Sequence, residues 1–178
     1  MRVVADRVAQ AVLAAHEDIE FQDWVPLGAH LDDVVLTARM PSEEKVAYMR
    51  AVLEKPEGEP AYHARERNYA ERVVRQLESP EEVAVPVQAL RIGPAGIASL
   101  PFEVFAEIGL ELKERSPLRA SFTISFANGS YAYLPTPRQH ELGGYETWLG
   151  SNLVEKEASV KLVDRLLEML EQLDSADD

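Results

Sequence analysis

The sequence predicts an α+β domain. Three observations carry this: two stretches of extended, Val- and Phe-rich chain at 83–92 and 120–126, three segments with apolar residues three and four apart, and Gly/Pro turn signals between them. A chain of 178 residues has room for one domain with a real core rather than two.

The elements follow in order. Residues 1–16 place Val4, Val8, Ala11, Val12 and Ala15 on one helical face, which reads as a buried stripe. A helix opening at Met1 without a cap reads as one entered from further upstream. Residues 18–30 read as extended chain broken by Pro26 and Gly28, and 33–38 as a strand. Ser42 caps the next helix and Glu43-Glu44 suit its positive end, with Val46, Met49 and Leu53 as its stripe. Pro56, Gly58 and Pro60 end it. A further helix is expected over 61–77, with Tyr62, Tyr69, Val73 and Leu77 on one face. Residues 83–92 form a strand with an irregularity expected at Pro86, and 97–100 a second strand after a Gly93–Gly96 turn.

Pro101 suits the first turn of a helix that carries Phe102, Phe105, Ala106, Gly109 and Leu112 on one side. Gly109 costs about 1 kcal/mol against Ala there, which predicts a close packing contact. In the strand 120–126, Phe122, Ile124 and Phe126 face one way and Ser121, Thr123 and Ser125 the other. Asn128-Gly129 is a strong turn signal. Residues 138–152 read as loop. The last helix spans about 156–173, burying Val160, Val163, Leu167, Leu170 and Leu173, and an acidic tail follows over 174–178.

Composition removes several function classes. The net charge of −13 argues against nucleic acid or an anionic membrane as the main partner. Without cysteine there is no disulfide, no thiol nucleophile and no Cys-based zinc site. No apolar run is long enough for an integral membrane segment, and Asp6, Arg7 and Gln10 interrupt any signal-peptide core at the start. No phosphate-binding Gly loop and no nucleophile-elbow serine is present.

Candidate chemistry concentrates between Leu100 and Thr147. Glu103 sits at an expected strand–helix junction, as a helix-dipole partner or as a metal ligand or general base. Tyr131, Tyr133 and Tyr145 flank the turn and the Gly143-Gly144 loop, as core-edge tyrosines or as phenols that bind a metal or an oxyanion. The histidines His16, His30, His63 and His140 show no zinc-motif spacing.

Taken together, LPFEVFAEIG, ELKERSP, FANGSYAYLPT and GGYET, in this order, resemble the C-terminal part of the catalytic domain of the neutral ceramidase family, bacterial members included. The likeness is densest over residues 88–148. It implies an α+β fold with a mostly antiparallel sheet and helices around it, part of a larger catalytic domain. It also implies a hydrolase that cleaves an N-acyl amide in a lipid-like, sphingolipid-type substrate with zinc. By motif position, the resemblance makes Glu103 and Tyr133 metal ligands and Tyr145 a catalytic tyrosine facing the reacting carbonyl. A carboxylate and a phenolate are hard oxygen ligands, and an open zinc position brings a water's pKa near ~7.

The family's two histidine ligands belong to motifs further toward the N-terminus, and none of the four histidines falls in such a motif. The expectation is therefore an incomplete zinc site, completed by a missing N-terminal half or accompanied by self-association. Two positions depart from the family pattern: Phe102 stands where many relatives have a small residue, and Ala132 where many have Gly. The alternative is a non-catalytic binding module that keeps the fold.

Overall fold

The computed structural model describes residues 1–56 and 58–175. Helix α1 (Arg2–Glu17) leads to strand β1 (Leu27–Thr37), then helices α2 (Glu43–Glu54) and α3 (Glu66–Gln76). Strands β2 (Glu82–Ile92) and β3 (Ala95–Ser99) follow. A two-residue strand β4 (Glu103–Val104) precedes helix α4 (Ala106–Arg115), and strand β5 (Ala120–Ile124) comes next. A second short strand β6 (Tyr133–Leu134), helix α5 (Pro137–Leu142), a single 3-10 turn (Tyr145–Thr147) and helix α6 (Ala158–Ser175) complete it.

The fold is α+β, and its main sheet has the order β1-β2-β3-β5. β1 and β2 run antiparallel in register from Leu27↔Ile92 to Thr37↔Glu82. β2 and β3 are antiparallel as well, whereas β3 and β5 are parallel, from Ala95↔Ala120 to Ser99↔Ile124. A parallel pair needs a crossover, and α4 supplies it. β2 passes through Pro86 without losing register. β3 pairs only with residues 88–92, so at Pro86 the strand has β1 as its one neighbour, where a missing N–H is tolerated.

Alternation sorts the side chains onto two faces. One face packs under α6: Leu36, Val85, Val87, Ala89 and Ala98 join Leu162, Leu166, Met169 and Leu170 in one buried cluster. Fully burying one such leucine stabilises by roughly 1.5–3 kcal/mol. Gly96 lets α6 come close, since a Cβ there would lie 2.9 Å from Leu118 Cδ1 and 3.1 Å from Leu170 Cδ2. Met49, Val52, Ala70 and Val73 form a smaller core between α2 and α3.

The other face of the sheet is exposed along its outer strands. Leu27, Leu31 and Val35 of β1, Ile92 of β2, and Phe122 (53% exposed) and Ile124 of β5 share it. Ser121 and Thr123 point to the α6 side instead. Ser121 meets the Ser116 hydroxyl at 2.7 Å, and Thr123 Oγ1 is buried with no hydrogen-bond partner among the described residues.

Several expectations are corrected. α1 forms, yet none of its residues is buried, and Val8 is 59% exposed. β1 starts at Leu27 rather than 33, because its ladder with β2 extends that far. α3 starts at Glu66 rather than 61. The Glu66 carboxylate accepts from the Tyr62 N–H at 3.0 Å and holds the preceding residues in turns. β5 ends at Ile124, and Phe126 has φ 56°. Residues 137–142, expected as loop, are the short helix α5, with Thr136 Oγ1 accepting from Gln139 N–H. Val160 is exposed rather than buried. α6 continues through Asp174 and Ser175; the rest of the acidic tail, 176–178, lies outside the described residues. Among the described residues no helix is long and apolar enough to cross a membrane.

Candidate functional site

Glu103 lies in an extended strand and not in the first turn of a helix. Its N–H donates to the Ala132 carbonyl at 2.8 Å, and the Phe105 N–H donates to the Leu134 carbonyl at 3.4 Å. Those pairings hold residues 103–104 extended and delay α4 to Ala106. The result is a parallel two-strand ladder in which Glu103 is opposite Tyr133.

Tyr133 is anchored on its other side by the loop before α6. Its N–H donates to the Ser151 carbonyl at 3.0 Å, and its carbonyl accepts from Asn152 Nδ2 at 3.2 Å. Asn152 is fully buried, so this contact is shielded from water. Ala132, just before it, takes φ 63°, a left-handed conformation that strains any residue with a Cβ.

Tyr145 arrives from a different segment. Gly143 (φ 82°) and Gly144 (φ 114°) turn the chain into the 3-10 turn, and Thr147 Oγ1 donates back to the Gly144 carbonyl at 2.8 Å. This places the Tyr145 hydroxyl 3.2 Å from the Tyr133 hydroxyl, with the rings perpendicular and their centroids 5.6 Å apart. The structure thus brings Glu103, Tyr133 and Tyr145 together from three segments.

Glu103 and Tyr133 line a shallow pocket of ≈ 330 Å³ with Phe105, Ser125, Phe126 and Glu146. The hydrogen bond with Tyr145, and then that with Glu103, push the Tyr133 phenol far above the ordinary tyrosine range. The phenol is therefore protonated at neutral pH. It is a hydrogen-bond donor between a carboxylate and a second hydroxyl, and a cation at the same place would favour its ionised form instead.

As a zinc site the set is partial. Two hard oxygen donors are adjacent, with the Glu146 carboxylate on the same pocket. Among the described residues there is no group of three or more His, Asp or Glu side chains that could hold a metal ion. His140 sits on α5 with its Nε2 buried and, among the described residues, without a hydrogen-bond partner. Burial, and then the charges of Arg39 and Lys156, lower its pKa. His63 packs in an aromatic cluster with Tyr69 and Trp148.

Two contributors escaped the reading of the sequence. Glu146 follows Tyr145 directly in GGYET and could have been marked by that position. Asn152 carries no local signal, because its role depends on a carbonyl in another segment.

No protein-family model matches the chain, and no curated protein matches it either. Solved structures do. The chain is similar to the neutral ceramidase of Pseudomonas aeruginosa, with 17% identity and a TM-score of 0.52, covering 84% of this chain and 29% of that one. It is similar also to a ceramidase solved in complex with C2, with 16% identity and a TM-score of 0.54, covering 84% of this chain and 30% of that one. The fold is thus ceramidase-like, and the chain spans less than a third of the length of those proteins.

Proposed function

We propose that this chain supplies the carboxylate-and-phenol side of a zinc-dependent amidohydrolase site of the ceramidase type. Glu103 and Tyr133 would hold the zinc, and the Tyr145 hydroxyl would donate a hydrogen bond to the substrate carbonyl. The substrate class is an N-acyl amide with a lipid-like acyl chain. A bound zinc would supply Lewis-acid polarisation of that amide and of a water. The nitrogen ligands would come from a further polypeptide segment, which makes the isolated chain inactive or nearly so.

The observation that carries this reading is the pairing of Glu103 with Tyr133, with the Tyr145 hydroxyl 3.2 Å from that of Tyr133, inside a ceramidase-like fold. Positioned groups of this kind act in the transition state only if held by rigid backbone. Here the ladder and the buried Asn152 hold Tyr133.

The test is a zinc titration of the purified chain, followed by tyrosinate absorbance and by elemental analysis. Zinc is expected to bind weakly, through the two oxygen donors alone, and to ionise one phenol; both effects are expected to vanish in Tyr133→Phe and to weaken at least tenfold in Glu103→Ala. Unchanged binding in Glu103→Ala would sink the assignment. A second reading, a non-catalytic module that keeps the fold, is favoured by the exposed apolar side chains on one sheet face and by the lack of a metal-holding group among the described residues. Stable association with a partner, with no response to zinc in either protein, would select it.

A further inference from the structure

The loop that sends Glu146 toward the Glu103–Tyr133 pocket sends Thr147 and Trp148 into a second, larger one of ≈ 590 Å³. That volume is in the range of small-molecule sites, ~300–1,000 Å³. Its walls are rings. Tyr69 and Trp148 meet edge to face with centroids 5.3 Å apart, and His63 lies 5.8 Å from Tyr69 and 5.9 Å from Trp148. His63 comes from the turns before α3, Tyr69 from α3 and Trp148 from the loop before α6, so the pocket is assembled from distant parts of the chain.

The charges around it are uneven. Glu66 is 5% exposed, and its carboxylate is already matched. It accepts from the Tyr48 hydroxyl at 2.5 Å and the Tyr62 N–H at 3.0 Å, and Lys55 Nζ lies 3.9 Å away. The cations are not matched in the same way. Lys45 Nζ sits 5.4 Å from the Tyr48 ring centroid and has no ion pair among the described residues. Arg39 is partly buried, and its Nη1 donates to neutral oxygens, the Thr147 carbonyl and Asn152 Oδ1. A chain of net charge −13 therefore has a pocket whose uncompensated charge is positive.

We infer that this pocket binds a small anionic amphiphile, an aryl or acyl carboxylate, with its apolar body against Tyr69 and Trp148 and its carboxylate toward Lys45 and Arg39. Flat rings give a large contact area at little entropic cost, and a guanidinium or ammonium selects the anionic end. The chain's overall charge opposes this preference, so an anion that binds well does so through the pocket. The inference rests on this pocket alone and stands or falls separately from the zinc-site reading.

Trp148 reports the site directly. The chain has two tryptophans, and Trp24→Phe leaves Trp148 as the sole tryptophan, read by selective excitation at its red edge. In that background we would titrate phenylbutyrate, phenylbutanol and phenylbutylamine, three probes that share one apolar body. A saturable change in emission is expected with phenylbutyrate, at about threefold lower concentration than with the alcohol, the scale of one partly exposed charge contact. The amine is expected to bind more weakly than either. Lys45→Ala should narrow the gap between acid and alcohol, and Tyr69→Ala should weaken all three, with far-UV circular dichroism confirming the fold. The inference is overturned by an amine that binds as well as the acid, by an acid–alcohol gap that Lys45→Ala leaves unchanged, or by the absence of any saturable signal.

Discussion

At Ala132 the backbone takes φ 63°, directly before the tyrosine that faces Glu103. A left-handed conformation costs a residue with a Cβ roughly 1–2 kcal/mol, partly offset by the freedom that glycine adds to the unfolded chain. Ala132→Gly should therefore stabilise the protein by about 0.5–1 kcal/mol, read as a rise in Tm of about 1–4 °C. An unchanged or lower Tm would show that the surroundings already absorb the strain. The other departure, Phe102, is explained by packing: it is fully buried and meets the Tyr131 ring at 5.6 Å, in the core rather than in the Glu103–Tyr133 pocket. Single residues of the site were legible in the sequence only through the order of their motifs. The contact between Tyr133 and Tyr145 follows from two glycines at positive φ, which a sequence marks as a turn without saying where the turn leads.

Among the elements, α2 and α6 were readable because their information is local: a Ser42 cap that accepts from the Lys45 N–H three residues on, and a stripe of leucines at helical spacing. α4 was readable in its body and not in its start. The periodicity of Phe102 and Phe105 fits a helix, but the Glu103 and Phe105 N–H groups are taken by carbonyls of residues 132 and 134. Pairing with a strand about thirty residues away outweighs a propensity difference of a few tenths of a kcal/mol per residue. Gly109 corrects a second expectation. A Cβ there would meet Thr123 Oγ1 at 3.6 Å, an ordinary contact, so no close approach requires the glycine. Gly109→Ala should then stabilise α4 by about 0.5–1 kcal/mol in chemical denaturation. A loss of stability would mean that α4 and β5 lie too close for a methyl group.

For the whole molecule, the two faces of the sheet differ most. One is sealed by α6; the other presents Leu31, Val35, Phe122, Ile124 and their neighbours to solvent, and α1 leaves its own apolar stripe unpacked. Patches of this kind drive association. Sedimentation at rising concentration should show the chain self-associating, and Phe122→Ser with Ile124→Thr should shift it toward monomer without lowering Tm by more than about 2 °C. A wild-type chain that stays monomeric throughout would remove this expectation. The alternation of β5 revealed its two faces but not which one lies inside, because Ser121 faces inward to meet Ser116 and the close approach at Gly96. One more consequence follows from the crossover between β3 and β5. Glu103 stands where the chain enters that connection, and Tyr133 and Tyr145 stand beyond β5, so none of the three belongs to the main sheet. The frame and the candidate site are thus separable: the connecting segments can change in sequence while the strands beneath them keep the same architecture.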